Sequence, residues 1–203
     1  MSQRPSPLAN ILALVIATVA EFVGLFFWLQ AVDNGQQALG IAIIIIGLQV
    51  ERIAVYIGIR STWGDNPPHP NILGNLVGSG LGEAVAWLIW LYVADTIDPI
   101  FAAIFLTMMI LFEHSFQIGY FRRGKPFVYM IDPITVVFSA MEGVFAYFWL
   151  EAFRAGEVTT SAIILFVGLT IEHITQGVKL GKETDEDRVL PSRREQLARE
   201  KTV

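Results

Sequence analysis

The chain contains no cysteine, which excludes disulfides, thiolate metal sites and cysteine nucleophiles. Histidine is confined to His69, His114 and His173. Charge is also scarce. Only 16% of the 203 residues are charged, where soluble domains carry about a quarter. No basic run or patch suggests nucleic acid as a partner. What fills the chain instead is apolar: 54% of residues are hydrophobic, mean hydropathy is +0.54, and the apolar residues gather in long runs. The composition points to an integral membrane protein and to one bundle rather than two domains. The formal net charge of -5 does not describe an operating state in which intramembrane carboxylates are protonated or bound to metal.

An all-α, polytopic fold follows from the lengths of the runs. Six segments stand out, at about residues 8–32, 38–60, 72–94, 100–121, 133–153 and 159–180. Each is close to the roughly 20 residues that span about 30 Å of hydrocarbon as helix. The first is long, holds Glu21 and matches later segments, so it is read as a retained helix rather than a signal peptide. The stretch Ser61–Asn71 is too rich in proline and glycine to be helical. Asp132 is placed to cap a helix that starts at Pro133. The reading gives a transmembrane domain over 1–180, with hairpins at 8–60, 72–121 and 133–180. A charged tail over 181–203, interrupted by Pro191, forms a short surface helix or stays disordered. Arg4, Arg60, the Arg122/Arg123/Lys125 group and the tail from Lys179 fall on one side, with Arg154 the single basic residue opposite. By the positive-inside rule both termini are cytoplasmic.

Six glutamates interrupt the apolar segments: Glu21, Glu51, Glu83, Glu113, Glu142 and Glu172, at gaps of 30, 32, 30, 29 and 30 residues. A carboxylate in hydrocarbon is expensive and needs a partner, a proton or a metal. They also mark an internal repeat. Glu21, Glu83 and Glu142 each precede Trp-Leu by seven residues, in Trp28-Leu29, Trp90-Leu91 and Trp149-Leu150. The second helices carry the other three glutamates, and two of them share Glu-His-x-x-Gln: Glu113, His114, Gln117 and Glu172, His173, Gln176. The first copy has Glu51, Arg52 and Val55 instead. Three hairpins of one direction suggest a pseudo-threefold bundle about the membrane normal. The tryptophans read as interfacial anchors near the outer face. All six glutamates lie at a similar distance from the hairpin turns, so they fall in one layer.

Six ionised carboxylates in one layer repel strongly. Protons, the neighbouring Arg52, His114 and His173, or metal ions can relieve this. Carboxylates with imidazoles suit iron or manganese, with zinc also compatible. The expected metal ligands are therefore Glu21, Glu51, Glu83, Glu113, His114, Glu142, Glu172 and His173. The two-metal sites of ferritin-like bundles use the same donor types, but with Glu-x-x-His spacing. Here each histidine follows its glutamate directly, about 100° around the helix, so it points at a neighbouring helix. Gln117 and Gln176 share the carboxylate face and read as donors that steady ligand oxygens, with Arg52 balancing charge or holding an anion. With iron or manganese bound, a redox reaction on a lipophilic substrate follows. The competing readings are a glutamate-lined channel or transporter for divalent cations or protons, and a structural subunit of a membrane complex. The lipid bilayer is the one certain surrounding partner, and an oligomer is compatible with either reading.

Three weaker motifs complete the chain. The run Gly74, Gly78, Gly80 and Gly82 permits close helix contact. His69 reads as a solvated loop histidine. Arg122 and Arg123 read as topology determinants or contacts for anionic lipid.

Overall fold

A computed structural model describes residues 7–63, 72–121 and 130–187. It is all-helical, and six helices are long and apolar enough to cross a membrane. They are α1 (Pro7–Asp33), α2 (Gln37–Trp63), α3 (Ile72–Thr96), α4 (Pro99–Phe121), α5 (Pro133–Arg154) and α6 (Val158–Asp187). Two of them outrun their sequence-based ends. α2 continues through Ser61–Trp63, the first three residues of the stretch expected to be non-helical, and α6 runs seven residues past Leu180 into the charged tail. The first proline after α2 is Pro67, so no proline ring interrupts the helix through Trp63. In α6 the polar residues after Leu180 include good helix formers. His69, Arg122, Arg123, Lys125 and Pro191 lie outside the described residues.

Local chemistry sets the turns. Gly35 and Gly156 take φ of +74° and +76°, the left-handed conformation that only glycine adopts at low cost. Each closes its helix in the same way. Gln36 N donates to Ala31 O at 2.8 Å, and Glu157 N donates to Ala152 O at 2.9 Å. The middle hairpin turns at Ile97–Asp98, where Asp98 Oδ1 accepts from Ile100 N at 2.8 Å and Phe101 N at 3.0 Å. Asp132 caps α5 as expected, accepting from Thr135 N at 2.8 Å, with Pro133 opening the first turn. Asp-Pro therefore starts both α4 and α5, satisfying free N–H groups where proline has none to lose.

The helices form a ring in chain order. α1 packs on α2, α2 on α3, and so on through α6, which closes back on α1. The α1/α2 pair is the most intimate. A Cβ on Gly47 would stand 2.5 Å from Gly24 Cα, so the two backbones meet where both residues are glycine. In the glycine run of α3, Gly80 is packed against the Gln49 side chain. Added Cβ atoms at Gly78 and Gly82 would meet nothing within 4 Å. Close packing there is therefore a property of Gly80 and not of Gly78 or Gly82.

The bundle is inverted relative to a soluble protein. Its outer face exposes Ile46, Ile104, Met108 and Ile163, while Glu21, Glu51, Arg52, Glu83, Glu142, Glu172, His114 and His173 are buried. Apolar atoms outside and charges inside suit a lipid surround.

The tryptophans differ from their sequence reading. Trp28, Trp90 and Trp149 are not interfacial anchors: all three are fully buried, at 0% exposure, and Trp87 joins them at 1%. Trp90 and Trp149 stack at 5.7 Å with Trp87 edge-on to both. The reason lies in the spacing. Seven residues are almost two full turns, so each tryptophan lies on the same face as its glutamate, about 10.5 Å further along. A face that turns the glutamate inward turns the indole inward too.

Candidate metal centre

The i+1 position of each second helix decides the site. Because it lies about 100° from the glutamate before it, its side chain crosses to the next hairpin. Arg52 Nη2 lies 3.1 Å from Glu113 Oε1 and is in close contact with Glu83 Oε2. His114 Nε2 lies 3.2 Å from Glu172 Oε1 and groups with Glu142. His173 Nε2 lies 3.5 Å from both Glu21 Oε2 and Glu51 Oε1. Arg52 of the first hairpin thus meets both glutamates of the second. His114 of the second meets both of the third, and His173 of the third meets both of the first. All six sequence-predicted glutamates, both histidines and Arg52 come together in one buried cluster. The side chains of Gln117 and Gln176 lie outside the described residues.

Arg52 is enclosed by carboxylates within the cluster. Its Nε also lies 3.2 Å from Glu51 Oε2, and its side chain is 3% exposed. Three carboxylates surround one guanidinium.

His173 is held in one orientation. Its Nδ1 lies 2.9 Å from Leu169 O, and the Thr18 hydroxyl is 3.2 Å away. A carbonyl only accepts, so Nδ1 carries the proton and donates. Nε2 is left facing Glu21 and Glu51. A ligating imidazole is commonly fixed this way, by donation from its other nitrogen to a carbonyl. The Thr18 hydroxyl itself donates to Leu14 O at 2.9 Å.

Two groups of ligand atoms have the compactness a metal requires: His114, Glu142 and Glu172, and Glu21, Glu83 and Glu142. Within each, the atoms lie within 4.8 Å of one another and every residue is buried. Glu142 belongs to both. Its Oε2 is buried and has no hydrogen-bond partner among the described residues. A buried carboxylate oxygen without a donor is costly, and a cation on either side would satisfy it. Six carboxylates against one guanidinium leave an excess of five negative charges if all are ionised. Two divalent cations would neutralise most of that excess.

Three residues of the site escape the glutamate-and-histidine pattern. Ser79 Oγ donates to Glu113 Oε1 at 2.6 Å, Trp87 Nε1 donates weakly to Glu83 Oε1 at 3.4 Å, and Thr18 braces His173. Their signal is helical spacing. Thr18 precedes Glu21 by three residues, Ser79 precedes Glu83 by four, and Trp87 follows Glu83 by four, all on the glutamate's own face.

No protein-family model, curated protein or solved structure matches this chain.

Proposed function

We propose that this chain is an integral membrane metal-binding protein whose buried carboxylate and histidine side chains hold a pair of divalent ions, iron or manganese, bridged by Glu142. The observation that carries the reading is the sharing of Glu142 between two compact ligand groups, with one of its oxygens left without a donor. One group is His114, Glu142 and Glu172, a nitrogen and two carboxylates. The other is Glu21, Glu83 and Glu142, all oxygen. Glu51, Glu113 and His173 border the two. Oxygen-rich donor sets with few imidazoles favour iron and manganese over softer ions.

In this reading the six helices cross the bilayer as three hairpins about a pseudo-threefold axis, with both termini cytoplasmic. The head-to-tail pairing of Arg52, His114 and His173 with the next hairpin supports the threefold relation, as does the closed ring of helices. The charge distribution of the loops supports the orientation. A bridged iron or manganese pair is equipped for redox chemistry, and the lipid surround makes a lipophilic substrate the natural class.

A through-going cation or proton pathway is the second reading. The tryptophan layer speaks against it, because stacked, fully buried indoles fill the interior two turns beyond the glutamates. Metal content separates the two. Wild-type protein purified in detergent should hold about two iron or manganese ions per chain by elemental analysis, and Glu142→Gln should lose at least one. Metal-free wild type that passes cations into liposomes would reverse the preference.

A further inference from the structure

Arg52 stands where the repeat elsewhere has histidine. The three junctions are otherwise built alike: Arg52 against Glu83 and Glu113, His114 against Glu142 and Glu172, His173 against Glu21 and Glu51. What differs is how each supplies positive charge. A guanidinium is permanently protonated and reaches its carboxylates with its own N–H groups. Arg52 Nη2 does so, touching both glutamates of its junction. An imidazole offers a single lone pair and leaves a gap. His173 Nε2 stands 3.5 Å from each carboxylate, and His114 Nε2 stands 3.2 Å from Glu172. The first distance is long for a hydrogen bond between charged groups. The second suits atoms that share an ion, since His114, Glu142 and Glu172 place ligand atoms within 4.8 Å of one another.

We infer that Arg52 is a built-in cation that fills, at the first junction, the place that His114, Glu142 and Glu172 leave to a metal at the second, and so limits the number of ions the centre holds. The inference rests on the metal reading above and adds the element that sets its stoichiometry. Without Arg52, the first junction has the same carboxylate pair as the other two and needs only an imidazole to complete the set. With Arg52, the guanidinium fills that space and supplies one positive charge, where a metal would supply two.

The test is a count of bound manganese(II) on full-length protein in detergent, loaded with excess Mn(II), freed of loose metal by gel filtration and read by elemental analysis. Arg52→His should bind one more equivalent than wild type, while Arg52→Lys, which keeps the charge, should not. The reciprocal exchange, His114→Arg, should bind one fewer, and it carries the test if Arg52→His does not fold. Wild type that binds manganese while Arg52→His gains none, or His114→Arg that keeps the wild-type count, would overturn this inference alone. Wild type that binds no manganese would overturn the metal reading and this inference with it.

Discussion

Glu142, His173 and Arg52 show how much one side chain can carry in this centre. The six glutamates were legible because a charge inside an apolar run has few innocent explanations. The crossing of His114 and His173 to the next hairpin followed from one helical step of about 100°. The hydroxyls were not legible, because serine and threonine are common in membrane helices and most only bond back to their own backbone. Ser115, for example, donates to Leu111 O and Thr170 to Phe166 O. Thr18 differs in having His173 beside it. Replacing Thr18 by valine keeps the shape and removes the hydroxyl that helps fix the imidazole. Manganese affinity measured by chelator competition should fall by about 10–100-fold, with the fold unchanged by circular dichroism. Arg52→Gln removes the one permanent cation and leaves three carboxylates facing each other. Stability of the metal-free protein should drop by about 3–5 kcal/mol, read from unfolding in mixed micelles.

At the scale of the helix, the repeat was visible but one of its meanings was not. The Glu-x6-Trp spacing recurs in α1, α3 and α5, yet the usual preference of tryptophan is for the membrane interface. The same spacing contained the correction, since i and i+7 share a face. Trp28, Trp90 and Trp149 follow their glutamates inward and pack where lipid headgroups cannot reach them. Trp149→Ala should cost about 3–5 kcal/mol, as expected for removing a large buried aromatic. Trp149→Phe should cost much less. The glycines make a second contrast. Gly47→Val would drive a side chain into Gly24 and the Ala20 carbonyl, which lies 3.0 Å from the position of an added Cβ. It should destabilise by about 1–3 kcal/mol through overpacking. Gly78→Val, on an open face, should be close to neutral in the same unfolding assay.

On the scale of the whole molecule, the ring of helices turns an unfavourable inventory into a stable arrangement. Six carboxylates spaced about thirty residues apart along the chain converge because every helix presents its glutamate face to one interior. The sequence revealed the convergence but not the pairing order, which depends on how neighbouring hairpins are rotated against one another. It also did not reveal that α1 and α2 pack more closely than the other pairs, since only two facing glycines among many make that contact. If ions hold the interior together, their removal must be felt globally. Apo protein should unfold earlier than metal-loaded protein, by about 2.7 kcal/mol when free metal is a hundredfold above its dissociation constant.

The central claim is that a metal pair sits across Glu142, and anomalous X-ray diffraction at the iron or manganese edge tests it most directly. Two anomalous peaks about 3.5–4 Å apart are expected to flank the Glu142 carboxylate, one of them within bonding distance of His114 Nε2. Crystals of protein purified with iron or manganese that show no anomalous density between Glu21, Glu83, His114, Glu142 and Glu172 would contradict it.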